Sequence, residues 1–93
     1  MRPPDLNQCR AMLACIPADL DRDAWVRIGM ALHSEHPGPD GFALFDEWSA
    51  RGNDYDKRAA RSTWKSFKPG PVQIGTLIEE AKRHGYTLDR DAP

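Results

Sequence analysis

The sequence predicts an all-α fold, a compact bundle of about five short helices, on the strength of three observations. Apolar residues recur at helical spacing in successive segments, proline and glycine separate those segments, and residues that favour helix N-caps stand at most of their starts. Val72 lies in the one stretch where a short extended segment, a vestigial strand, is expected.

In the first segment Asp5 and Gln8 form a capping-box pattern, and Leu6, Cys9, Leu13 and Ile16 follow as one apolar stripe until Pro17 stops the helix. Asp21 or Asp23 caps the next segment, whose face is Trp25, Ile28, Gly29 and Leu32. Glycine inside a helix costs roughly 1 kcal/mol relative to alanine, a cost that close approach of a neighbouring helix at Gly29 would offset. The run His36-Pro37-Gly38-Pro39 breaks the chain, and Asp40 is the expected cap of a third helix carrying Phe42, Leu44, Phe45 and Trp48.

A polar loop from Arg51 to Asp54 leads to the most strongly patterned stretch, with Asp56 as N-cap and Tyr55 and Ala60 at staple positions. There Ala60, Trp64 and Phe67 make a buried stripe, bordered by Arg61, Lys65 and Lys68, with Lys57 and Arg58 at the helix start. Lys68-Pro69-Gly70-Pro71 ends that helix. A fifth presents Ile74, Leu77, Ile78 and Ala81, its start left open between Ile74 and a Thr76–Glu79 capping box, and its end set by Gly85. Tyr86 and Leu88 are expected to fold back on the bundle. The 93 residues are thus expected to form a single domain with its core over about 5–88 and a polar tail at 89–93.

Charge is distributed unevenly although the formal net charge is only −1. Seven acids face Arg22 and Arg27 between Asp19 and Glu47, whereas six bases face Asp54 and Asp56 between Arg51 and Lys68. Such asymmetry steers a polyanion to one face, and it is equally the pattern of a solvated helix surface. Cys9 and Cys15 point in different directions along one helix, MRPPDLNQ has no apolar signal core, and no apolar run is long enough for a membrane. A soluble cytoplasmic protein without membrane contact is the expectation.

Chemistry in this chain finds little support in the sequence. The D-x-D triplets Asp21-Arg22-Asp23 and Asp89-Arg90-Asp91 suit capping and solubility better than metal binding, and His33, His36 and His84 follow no ligand pattern. No glycine-rich phosphate loop and no nucleophile elbow is present, so neither catalysis nor a cofactor is expected in this domain.

Three segments, IPADLDRDAWVRIGMALHSE, GFALFDEWSARGNDYD and WKSFKPGPVQIGTLIEEAKRHGY, together resemble the primase C-terminal domain of the second type over about Leu13 to Tyr86. That helical module occurs in replication proteins of phages, plasmids and other mobile elements. The motif positions fall on Trp25, Gly29, Leu32, Phe42, Trp48, Trp64, Phe67, Ile74, Gly75 and Leu77, nearly all apolar or glycine, and these are assigned to the core.

The resemblance implies an accessory module of a DNA primase or primase-helicase that helps hold single-stranded template, and nucleotide, during primer synthesis. ATP and divalent metal would belong to the parent protein. Joined to the basic stripe, it makes Arg58, Arg61, Lys65 and Lys68 the expected phosphate contacts, with Arg51 and Lys57 on the flank of the same surface. Trp48 is the ring kept open for base stacking, on the expectation of a partly exposed helix end. The alternatives are a docking or linker domain between primase-polymerase and helicase domains, in cis or in trans, without direct DNA contact, and a nucleotide site built from basic side chains between helices.

Overall fold

In the computed structural model, which describes residues 3–53, 55–68, 70 and 72–86, five helices follow one another: α1 (Leu6–Cys15), α2 (Arg22–Glu35), α3 (Pro39–Ser49), α4 (Lys57–Ser66) and α5 (Ile74–Arg83). Among the described residues there is no strand, and Val72 instead lies in irregular chain packed against the core. The all-α expectation therefore holds and the vestigial strand does not.

Three of the helix starts follow the capping chemistry of the sequence. Asp5 accepts from the Gln8 amide while the Gln8 side chain accepts from the Asp5 amide, a complete capping box. Asp21, not Asp23, caps α2 by accepting from Ala24 N at 2.8 Å, and Asp56 caps α4 by accepting from the amides of Arg58 and Ala59. α3 departs from the expectation: Gly38 is its N-cap, Pro39 starts the helix and Asp40 falls in the first turn. Proline's fixed φ suits the first helical position, and the carboxylate one residue on acts on the helix dipole instead of on an amide. α5 begins at Ile74 with Gln73 as its N-cap and no side-chain cap bond, so the Thr76 alternative is not used. Its end at Gly85, with φ of +98°, needs glycine's freedom in the left-handed region.

The two central helices are α2, which packs against α3, α4 and α5, and α3, which packs against α1, α2 and α4; α1 also meets α5. Between them sits a cluster of aromatic rings around the fully buried Phe45, whose centroid is 5.0 Å from Trp25, 5.4 Å from Trp64, 6.2 Å from Phe67 and 6.3 Å from Trp48. Tilted and edge-on geometries of this kind are the favoured ones for aromatic pairs. Leu32, Leu77, Ala31 and Ala81 continue the core between α2 and α5, and Tyr86 folds back as expected while Leu88 and the tail at 89–93 lie outside the described residues.

Gly29 is what lets the rings in. A Cβ placed there would stand 2.8 Å from Phe45 Cε1 and 2.9 Å from Phe67 Cε2, closer than carbon atoms approach. Gly41 is tighter still, its would-be Cβ 1.8 Å from the His36 carbonyl oxygen, so the α2–α3 turn folds directly onto the first turn of α3. Of the motif positions assigned to the core, Gly75 does not belong to it: it is exposed, with open space where a Cβ would go.

Cys9 is fully buried on α1, and burial, reinforced by the charges of Asp5 and Glu35, pushes its thiol up to about 11. An unfolded thiol ionises near 9.0, so raising the pH through that interval draws protons preferentially from the unfolded chain and destabilises the fold.

Two measurements test this packing. Alanine at position 29 gains about 1 kcal/mol of helix propensity but overpacks two buried rings at a cost of about 1–3 kcal/mol, so Gly29→Ala should lower the urea midpoint, with a net loss of up to about 2 kcal/mol. A midpoint at or above wild type would mean the rings shift freely. Between pH 9 and 11 wild-type stability should fall more steeply than that of Cys9→Ala, and parallel curves would remove Cys9 from the account.

Candidate nucleic-acid interface

Asp56 anchors the start of α4, and Ala60 and Trp64 bury one side of it. That burial fixes the rotation of the helix, so Lys57, Arg58, Arg61 and Lys65 emerge exposed along one arc bordering the buried stripe. The helix carries no acid between Lys57 and Ser66, and among the described residues no carboxylate forms an ion pair with any of these four cations. The ion pairs present lie elsewhere, at Arg10–Glu47, Arg83–Glu80 and His84–Glu80. Arg61 is further positioned by aromatic contact, its guanidinium 5.8 Å from the centre of the Phe42 ring, which itself packs on Trp64 at 6.0 Å. Lys57, Arg58 and Arg61 together line a shallow cleft beside Asp56.

Lys68 leaves the stripe. The helix ends at Ser66, and Phe67 takes an extended conformation (ψ 141°) as C-cap while its ring stays buried. The chain has left the helix at Phe67, so the helical spacing Lys65–Lys68 does not carry through, and Pro69 disfavours a return to helical backbone at Lys68. Lys68 instead borders a groove between α2 and α4 whose apolar lining includes Val26, Met30, Phe67 and Val72.

Arg51 is also elsewhere. In the turn after α3 its Nη2 donates to the Leu13 carbonyl at 3.2 Å, and it lines a groove between α1 and α3 with Arg10 and Glu47. Its backbone lies near α4 in sequence, but the side chain closes the end of α1.

Trp48 is corrected outright. It is 1% exposed, and its indole N–H donates to the Ile16 carbonyl at 2.9 Å. Of its polar neighbours in sequence, Asp46 and Glu47 lie on the outer sides of α3 and Ser49 is itself buried, while the indole fills the gap under the end of α1, so it offers no face for stacking.

The exposed rings lie at positions that the spacing did not single out for ligand contact. Tyr55 is 37% exposed and its hydroxyl donates to Asp46. That hydrogen bond, with smaller contributions from partial desolvation and the Asp46 and Asp56 charges, pushes the phenol up to about 12. The half-buried Trp25 donates from Nε1 to Ser49 Oγ at 2.8 Å, and the exposed Arg22 guanidinium lies over its ring at 5.5 Å. Trp25 and Tyr55 line one groove of about 390 Å³, where the start of α2, the turn after α3 and the start of α4 meet. No local pattern marks it, because its walls come from three separate segments.

Asp21 and the three histidines have structural partners, His84 through Glu80. Asp21 is spent on its cap. His33 sits edge-on to Trp64 and Phe67, and His36 Nε2 lies 2.9 Å from the Pro4 carbonyl. Asp89-Arg90-Asp91 lies outside the described residues. Among the described residues no three His, Cys, Asp or Glu side chains converge as a metal site requires, and no helix is long and apolar enough to cross a membrane.

The architecture is that of a small helical bundle presenting one cationic helix from an aromatic core. The chain belongs to the Primase C terminal 2 (PriCT-2) family, whose family model matches residues 9–81. Membership associates it with primases and primase-helicases. No curated protein and no solved structure matches the chain.

Because Trp48 is structural, Trp48→Phe should leave the Ile16 carbonyl unpaired and cost about 1–3 kcal/mol of stability. Its affinity for oligonucleotides, measured by anisotropy on the folded variant, should equal that of wild type. A selective loss of affinity would restore Trp48 to the interface.

Proposed function

We propose that this domain is a DNA-binding accessory module of a replication primase or primase-helicase, with α4 laid against the phosphates of a single-stranded template. One observation carries the reading: four exposed cations without carboxylate partners among the described residues share a helix whose Ala60 and Trp64 are locked in the core. Family membership supplies the replication setting. Lys57, Arg58, Arg61 and Lys65 are the contacts, and Lys68 lies at the flank. Arg51, directed at α1, is left out.

In this reading the 93 residues form one non-catalytic domain, and primer synthesis, ATP hydrolysis and their divalent metals belong to other parts of the parent protein. Contacts of this kind bind any sequence, because a phosphate looks the same beside every base. Four phosphates neutralised on a single strand give a slope of log K against log salt of about −2.8.

A second reading, docking on a primase-polymerase or helicase domain, has its own support in the α2–α4 groove, which is apolar along its floor and carries Arg22 and Lys68 at its edges. The two are separable with variants on each surface. Arg61→Glu with Lys65→Glu should lower affinity for a labelled single strand by on the order of tenfold or more at low salt, with the far-UV circular dichroism unchanged. Unchanged affinity would remove α4 from the interface. Loss of pull-down by a neighbouring domain in Met30→Glu with Lys68→Glu, with DNA binding kept, would select docking.

A further inference from the structure

We infer that the groove between Trp25 and Tyr55 receives one unpaired nucleobase of the strand whose phosphates run along α4. The inference rests on the α4 reading and adds to it a strand-selecting site.

Three features of the groove point to a base. Both of its rings are accessible: Tyr55 is the most exposed large ring among the described residues, and Trp25 is half-buried, as Phe42 and Tyr86 are elsewhere. Trp25 is backed by Phe45 at 5.0 Å and covered by the exposed Arg22 guanidinium at 5.5 Å. Aromatic rings and guanidinium planes are the two surfaces on which splayed bases stack, and a base can rest on this guanidinium or take its place.

Apart from the Arg22 guanidinium, the polar side chains of the groove are already engaged with the fold. Asp19 accepts from the Asn53 amide at 2.8 Å, Asp56 caps α4, and the Trp25 indole N–H is held by Ser49. What remains suits the flat apolar face of a base and offers no phosphate nest.

The cations of α4 adjoin the groove. Asp56 lines both this groove and the shallow cleft formed by Lys57, Arg58 and Arg61, so the two sites adjoin at the start of α4. A nucleotide needs this division, with apolar walls for the base and cations for the phosphate next to it. Duplex DNA keeps its bases stacked inside and cannot fill the groove.

The test compares a thymidine octamer with an abasic octamer of the same charge, binding the whole chain. Nitrogen-15 NMR of the three indole N–H groups provides the site readout, with the buried Trp48 and Trp64 as internal controls. Both octamers should bind through α4, but only the thymidine octamer should shift the Trp25 indole signal, and it should bind roughly fivefold or more tightly. Tyr55→Leu and Arg22→Gln should abolish that difference while leaving the abasic octamer's affinity unchanged or nearly so, and Tyr55→Phe, which keeps the ring, should preserve it.

Equal affinities with an unmoved Trp25 signal would overturn the inference. If Arg61→Glu with Lys65→Glu still weakened both octamers, the α4 reading would stand without it. Binding of neither octamer would overturn both.

Discussion

The structure depends on the contact between the Phe45 ring and the bare backbone of Gly29. With hydrogen at position 29, α2 approaches α3 closely enough for Phe45 to sit at full burial and touch Trp25, Trp48, Trp64 and Phe67 at once. A chain this short has little core to spend, and concentrating large rings at one point buries much apolar area per ordered residue. The roughly 1 kcal/mol of propensity lost at a helical glycine is offset by that burial.

The same cluster governs the outer surface. Trp64 and Phe67 reach into it from α4 and from the residue just past its end, and together they hold the helix in one rotation. A cationic stripe has a definite direction only if the helix beneath it does. Arg61 shows the coupling directly, since its guanidinium rests on Phe42 and Phe42 rests on Trp64. The path from core to candidate interface is therefore two ring contacts long.

The bundle was legible because its helices are amphipathic and punctuated: Asp5, Asp21 and Asp56 cap where their side chains can reach an amide, and Gly85 ends α5 where a left-handed residue is required. The cations of α4 were legible for the same reason. Misplaced were the residues whose surroundings come from distant segments. Trp48 has polar neighbours in sequence but lies beneath Ile16. Arg51 precedes the basic helix yet turns to Leu13. Lys68 continues a helical spacing that Phe67 has already left. The Trp25–Tyr55 groove, assembled from three segments, leaves no local trace.

The sequence by itself determined the helices, most of their ends, the family and the cationic character of α4, because capping, periodicity and charge act over a few residues along one chain. Only the tertiary structure decided which rings are buried, which cations share a face, and where a groove opens. Those properties depend on contacts across tens of residues, such as Trp48 with Ile16 and Trp25 with Ser49, which exist only once the helices have packed.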